Sequence, residues 1–314
     1  MTVEVVTLGE SLASFRSTGP LGFGAALTPH LAGAESNVAI GLARLGHAVA
    51  WAGRVGADPF GQAVLRTLRA EGVDVSAAVV DESAPTGLMF LEQRTADLSR
   101  VHYVRAGSAG SRVSADDLPV EAIRAASLLH VTGITPALST VAADAVTAAV
   151  AVAHEAGVRV SLDVNHRARL WGRDDAARML RGLLPHVWMV VAGEDELAIV
   201  ADGPEDEAVD ALLAAGVRQV AIKRGADGAS LHTHDGRRDR AAVAVSAVDT
   251  VGAGDAFCAG LLSGVLDDLA PDEALDRAVH LGAWAASTTG DWAGLPTRSE
   301  LDDLLAVRPG ETLR

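Results

Sequence analysis

The chain has 314 residues, of which 49% are hydrophobic, enough to fill a large core in one α/β domain, and its formal net charge is −15. An acidic surface of that size disfavours nucleic acid and anionic membranes as partners, although a local basic pocket can still receive an anionic substrate. A single cysteine, Cys258, excludes a disulfide framework and fits a reducing cytoplasm, MTVEVVTLGE lacks the basic start of a signal peptide, and no apolar run reaches membrane-spanning length.

Residues 2–8 alternate and are β-branched, an opening strand. Residues 11–29 are glycine-rich and predict short strands or loops. A helix follows at 32–45 and stops at Gly46, then a strand at 49–55 and a helix at 59–71. Residues 73–80 are extended. Residues 86–94 and 98–105 read as two strands, and alternation on the second puts Tyr103 and Arg105 on one face. From about 120 the pattern is regular, with helices at 121–126, 139–156, 176–183, 194–200 and 206–215 and strands at 128–132, 158–163, 187–191 and 220–223. Residues 229–233 read as a hairpin partner of 220–223. The stretch 241–248, AAVAVSAV, predicts a further buried strand, and helices follow at 256–266, 272–288 and 299–305.

Strands alternating with helices imply a mainly parallel sheet covered on both faces, in one domain over 1–314. Two regions lack crossover helices, roughly 11–33 and 86–110. They are expected to pair as a small β flap over the carboxyl edge of the sheet, where ligands of open α/β sheets bind.

The chemistry concentrates at 249–257, DTVGAGDAF. Gly252 and Gly254 permit close approach of backbone to a ligand, and the helix behind them offers unpaired N–H groups and a partial positive charge. Asp255 lies in the same turn, so an anion site and a potential base coincide, as phosphoryl transfer to a hydroxyl requires. A bare G-x-G-D is read equally well as a tight turn with Asp255 capping the helix. A Walker loop, a G-x-G-x-x-G after the first strand, and the protein-kinase H-R-D and D-F-G motifs are all missing.

The full nonapeptide resembles the C-terminal signature of the ribokinase-like, or PfkB-type, carbohydrate kinases. The resemblance implies a ribokinase-like three-layer α/β/α sandwich with a small β-sheet lid, acting on ATP with Mg2+, and leaves a monovalent cation open. It implies that Asp255 accepts the hydroxyl proton while the amides of Gly252, Ala253 and Gly254 stabilise developing charge. In KRGADG, 223–228, spacing alone reads as a hairpin with a solvated lysine; the resemblance puts Lys223, Gly225 and Gly228 over the nucleotide. In AGAESNVA, 32–39, Gly33 and Asn37 stand at a helix entry and serve equally well as a cap; the stretch resembles the family's sugar-binding G-G-A-x-x-N-x-A, with Ala32 for the first glycine.

Tyr103 and Arg105 on one strand, and Asn165 and Arg167 after another, decide the substrate class. Two arginines facing one pocket are expected for a carboxylate or phosphate, although a surface arginine is the ordinary case. The strings YVRAGSAGS and SLDVNHRARLW resemble 2-dehydro-3-deoxygluconate kinases within the family. That implies a sugar acid held by Tyr103, Arg105 and Arg167, with Asn165 on the nucleotide side. At 192–196, AGEDE, the family shows N-x-x-E. Gly193 replaces the asparagine and Glu196 remains as the magnesium residue. The resemblance also sets Ala283 beside adenine and Asp291 at a substrate hydroxyl, and favours a dimer. His232 and His234 share a strand face but are a weak metal pair. The expected function is an ATP-dependent kinase for a primary hydroxyl of a sugar acid. The alternatives are a kinase of fructose or ribose and a non-catalytic sugar or nucleotide sensor.

Overall fold

Strands that are apolar at successive positions cannot leave either face in water, so the segments around residues 128, 189 and 220 need cover on both sides. The structure is a computed structural model that describes residues 3–95 and 98–306. Its first half runs β1 (Val5–Leu8), β2 (Leu12–Ser17), β3 (Thr28–Ala32), α1 (Ala34–Arg44), β4 (Val49–Ala52), β5 (Arg54–Gly56), α2 (Pro59–Ala70), β6 (Val79–Asp81), β7 (Leu88–Thr95), β8 (Leu98–Val104), α3 (Val120–Ala125), β9 (Leu128–Thr132) and α4 (Thr140–Glu155). The second half runs β10 (Arg159–Asp163), α5 (Arg173–Leu183), β11 (Met189–Gly193), α6 (Leu197–Val200), α7 (Glu205–Ala214), β12 (Gln219–Lys223), β13 (Ala229–Thr233), β14 (Gly236–Arg240), α8 (Ala253–Leu266), α9 (Pro271–Ala286) and α10 (Arg298–Ala306).

Eight strands form the central sheet in the order β14-β13-β12-β11-β10-β9-β1-β4. All pairs are parallel except those made by β13, which is antiparallel to both neighbours. Side chains on one strand alternate between two cores. Val190, Val220 and Ile222 pack with α4, α5 and α7, whereas Val191 and Ala221 pack with α1, α2, α8 and α9. A second sheet, β3-β2-β7-β8, is built from residues 12–17, 28–32, 88–95 and 98–104. Among the described residues no helix is long and apolar enough to cross a membrane.

Two expectations change here. The strand expected at 49–55 is divided into β4 and β5 at Gly53, where a Cβ would lie 2.3 Å from the carbonyl oxygen of Gly9. The buried strand expected at 241–248 is absent: that stretch is irregular and mostly exposed. The sheet already ends on β14, an edge strand whose polar alternation, GRRDR, hid it from a reading based on apolar runs. Arg238 and Arg240 of β14 pair with Asp272 on α9, so the edge is closed by ion pairs. The alanine–valine stretch beyond it is a connection, tied at its end by the N–H groups of Val248 and Asp249 donating to the carbonyl of Ala286 at 2.8 and 3.1 Å.

Asp267, at the C-terminal end of α8, ties that helix to α9 and to the start of α10. Its carboxylate accepts from Arg277 at 2.5 Å and from Arg298 at 2.5 and 3.0 Å. Burial works against its charge, but the guanidiniums of Arg298 and Arg277 outweigh burial and hold the carboxyl down at about 2, from an ordinary 3.8. A depressed carboxyl contributes stability above its unfolded pKa and loses it as pH falls through the folded one. Asp267→Asn is therefore expected to cost about 2 kcal/mol at neutral pH in urea unfolding. The gap to wild type should narrow between pH 4 and 2; a gap independent of pH would assign the loss to packing instead.

Candidate active site

Helices α1 and α8 both begin at a glycine, and neither start carries a side-chain cap. Gly33 and Gly252 have φ of 147° and 85°, in the region that side chains disfavour. A Cβ on Gly252 would lie 2.1 Å from the carbonyl oxygen of Asp291. The helices cross closely because a Cβ on Gly41 would come within 2.6 Å of that of Ala259. Two uncapped N-termini are thereby aimed at one place, each with unsatisfied N–H groups and partial positive charge. They open on a cavity of about 850 Å³ between the carboxyl edge of the central sheet and the inner face of the small one. Of the residues that the family resemblance assigns to substrate, nucleotide, metal or catalysis, all line this cavity except Gly225, Gly228, Ala253 and Ala283.

Asp255 lies in the first turn of α8 and is 8% exposed. Its Oδ2 accepts from Asn37 Nδ2 at 2.8 Å and its Oδ1 from Asn165 Nδ2 at 3.4 Å. Burial pushes its carboxyl above the ordinary range and Asp163 adds to this, while the Asn37 hydrogen bond, Arg167 and Lys223 pull the other way. Asn165 holds its place through a left-handed backbone, φ 38°, which asparagine tolerates. The amides of Gly252, Gly254 and Asp255 have no protein acceptor among the described residues.

Lys223, at the end of β12, is no solvated hairpin lysine. Its Nζ donates to both carboxylate oxygens of Asp163, at the end of β10, at 2.9 Å each. It lies 3.5 Å from where a Cβ on Gly254 would be, directly under the glycine turn. Burial opposes its charge, but the Asp163 carboxylate, with Cys258 and Glu196, outweighs burial and keeps it protonated. Arg167 is exposed at the cavity and has no side-chain partner among the described residues.

Several expected roles are altered by the contacts. The Ala253 N–H is occupied, donating to Thr250 O at 3.3 Å, because the turn tightens before α8 starts. Arg105 is not a free clamp: it pairs with buried Glu10, which also accepts from Ser108, and its guanidinium carbon sits 5.2 Å from the Tyr103 ring centre. Glu196, on the cavity wall, already accepts two backbone hydrogen bonds. Its Oε2 accepts the Gly193 N–H and its Oε1 the His166 N–H, both at 2.8 Å, so it braces the loops after β11 and β10. Gly228 answers to packing, since a Cβ there would meet the Arg240 carbonyl at 2.0 Å; Ala283 is half-buried on α9, away from the cavity lining. Among the described residues no three His, Cys, Asp or Glu side chains are placed to hold a metal ion. His232 hydrogen-bonds Ser230 instead, at 3.0 Å.

Sequence reasoning missed three participants. Arg16 on β2 pairs with Asp249 and Asp291. Glu35, wholly buried beside the cavity, accepts from Thr132 and Thr135 at 2.7 Å each. Burial raises Glu35 to about 7 against the pull of those two hydroxyls. Glu10, the third, follows β1. Their signal was a charged residue inside an otherwise apolar or small-residue run.

A family model described as pfkB family carbohydrate kinase matches residues 13–298. The chain belongs to the pfkB family of carbohydrate kinases. This pfkB kinase is 38% identical over 318 residues to a 2-dehydro-3-deoxygluconokinase of Bacillus subtilis, covering 98% of this chain and 97% of that one. It is 36% identical over 310 residues to a 2-dehydro-3-deoxygluconokinase of Thermoproteus tenax, covering 96% and 94%. It also superposes on the crystal structure of a 2-dehydro-3-deoxygluconokinase from Thermotoga maritima with a TM-score of 0.89 at 26% identity, covering 98% and 99%. The family's three-layer architecture with a small separate sheet is the one described above.

The glycine turn yields a direct test. Gly252→Ala places a methyl against Asp291 O in a left-handed backbone. It should cost about 1–3 kcal/mol of stability in thermal or urea unfolding and at least about 100-fold in turnover, through a displaced anion cradle. Turnover near wild type would mean that the turn's geometry is not used.

Proposed function

We propose that this kinase transfers the γ-phosphoryl group of Mg-ATP to the primary hydroxyl of a sugar acid, 2-dehydro-3-deoxygluconate, giving the 6-phosphate and ADP. The observation that carries the reading is the buried Asp255 carboxylate beside the open amides of Gly252 and Gly254, above Lys223 and within one cavity of the unpaired Arg167. Similarity to the two 2-dehydro-3-deoxygluconokinases over nearly the whole chain supports the choice of sugar acid.

In this reading the substrate hydroxyl donates to Asp255. As its oxygen bonds to the γ-phosphorus, the bond to the β-phosphate oxygen breaks and the proton passes to the carboxylate. The amides at the head of α8 and the Lys223 ammonium stabilise the charge that develops on the transferring group. Asn37 holds Asp255 by its Nδ2; its Oδ1 is buried without a partner and is free to accept a sugar hydroxyl. Arg167 meets the substrate carboxylate, and Tyr103 with Arg105 forms the opposite wall on β8 and just beyond it. The small sheet serves as the lid that keeps water from the phosphoryl group. Magnesium bound with the nucleotide would neutralise phosphate charge, and Glu196 on the cavity wall is the carboxylate that would meet it through water.

One observation favours a second reading, the same chemistry on a neutral sugar such as fructose. Glu10 already neutralises Arg105, so that guanidinium is not available to a substrate carboxylate. ADP release measured with 2-dehydro-3-deoxygluconate, fructose and ribose separates the two. Arg167→Ala should lose about tenfold or more on the sugar acid, one charge-assisted contact, and leave the neutral sugars nearly unchanged. Asp255→Asn should lose at least about 100-fold on whichever sugar is used while ATP affinity is kept. Equal losses on all three sugars in Arg167→Ala would remove the carboxylate contact, and near-normal turnover in Asp255→Asn would remove the base.

A further inference from the structure

Arg16 is the side chain of the small sheet that reaches the glycine turn, and the mechanism above leaves it unused. It lies on β2, where alternation puts it on the same face as Leu12, one of the cavity's lining residues. It is 7% exposed, and its guanidinium is ion-paired with both Asp249 and Asp291. Those two aspartates flank the turn. Asp249 opens it, with Oδ1 accepting the Val251 N–H at 3.1 Å and Oδ2 the Gly290 N–H at 3.4 Å. Asp291 packs its backbone against Gly252, and its Oδ2 accepts from Asn37 Nδ2 at 3.3 Å. The same Asn37 amide donates to Asp255 at 2.8 Å. One guanidinium thus connects the small sheet to both walls of the turn and, through Asn37, to the carboxylate at the head of α8.

The electrostatics require such a group. Asp249, Asp255 and Asp291 crowd a place where an anion has to bind, and two of the three are buried. Unpaired, Asp249 and Asp291 would repel each other and the incoming phosphate. Arginine suits the task because its planar fork meets two acceptors at once and stays charged when buried; lysine offers a point charge.

We propose that Arg16 is a positioning residue for phosphoryl transfer, bridging Asp249 and Asp291 so that seating of the small sheet fixes the glycine turn and Asn37. The inference rests on the reading that this turn is the transfer site. It is tested with Arg16→Ala and Arg16→Lys by steady-state kinetics on Mg-ATP and 2-dehydro-3-deoxygluconate, with thermal melts of each variant. Arg16→Ala should lose on the order of 100-fold in kcat, the scale of a misplaced reacting group, with KM for both substrates within about threefold of wild type. Guanidinium chloride at non-denaturing concentration should restore about tenfold of that loss by refilling the bridge, and potassium chloride at equal ionic strength should not. Arg16→Lys, which keeps the charge and guards against a misfolded alanine variant, should fold normally and turn over at an intermediate rate. Wild-type kcat in either variant overturns the proposal, as does a loss confined to KM, or a kcat loss in a wild-type-like fold that guanidinium leaves unrepaired. A wild-type enzyme that releases no ADP from any sugar overturns the transfer-site reading itself, and this inference with it.

Discussion

The hydrogen bond from Asn37 to Asp255 joins the first turns of two helices whose N-termini carry no side-chain cap. Helix ends with free N–H groups are unstable neighbours for one another, since each carries the same partial charge. A carboxylate between them relieves that repulsion, and an incoming anion relieves it further. Asp255 therefore answers to two demands at once. Burial makes its charge costly, and the Asn37 hydrogen bond, Arg167 and Lys223 offset part of that cost. A carboxylate balanced in this way suits the acceptance of a proton from a hydroxyl.

The surrounding elements serve that balance. Parallel strands deliver their carboxyl ends to one edge, so Asp163 and Lys223, from strands separated by β11, meet as a salt bridge beneath the turn. The close crossing of α1 and α8 at Gly41 and Ala259 brings the N-termini together. A protein of net charge −15 can in this way still offer donors to a phosphate: open amides, the Lys223 ammonium and the unpaired Arg167 stand at the cavity, while most of the acidic residues lie elsewhere.

What was legible in the sequence was local. DTVGAGDAF carries its geometry in nine consecutive residues, and AGAESNVA does so in eight, so turn, helix start and polar side chain are read together. Gly252 and Gly33 had to be glycine for reasons that the φ values bear out. What escaped depends on residues far apart. Arg16 and Asp291 are 275 positions apart, and nothing near either announces the other. The bracing contacts of Glu196 escaped too, because the amides of Gly193 and His166 reach it only after two separate βα loops have folded. The alternating alanines and valines of 241–248 imitate a strand, yet β14 is tied to α9 through Arg238, Arg240 and Asp272, and the stretch runs on as an irregular connection.

The central claim is that a buried carboxylate at the head of α8 receives the proton of the substrate hydroxyl. The pH dependence of kcat, compared between wild type and Asp255→Asn, tests it most directly. A base acts when ionised, so a raised pKa places the acid limb of the wild-type profile above the ordinary 3.8 of an aspartate. The account predicts that limb in wild type and its loss, with low turnover at every pH, in the variant. The same acid limb in both proteins would contradict it.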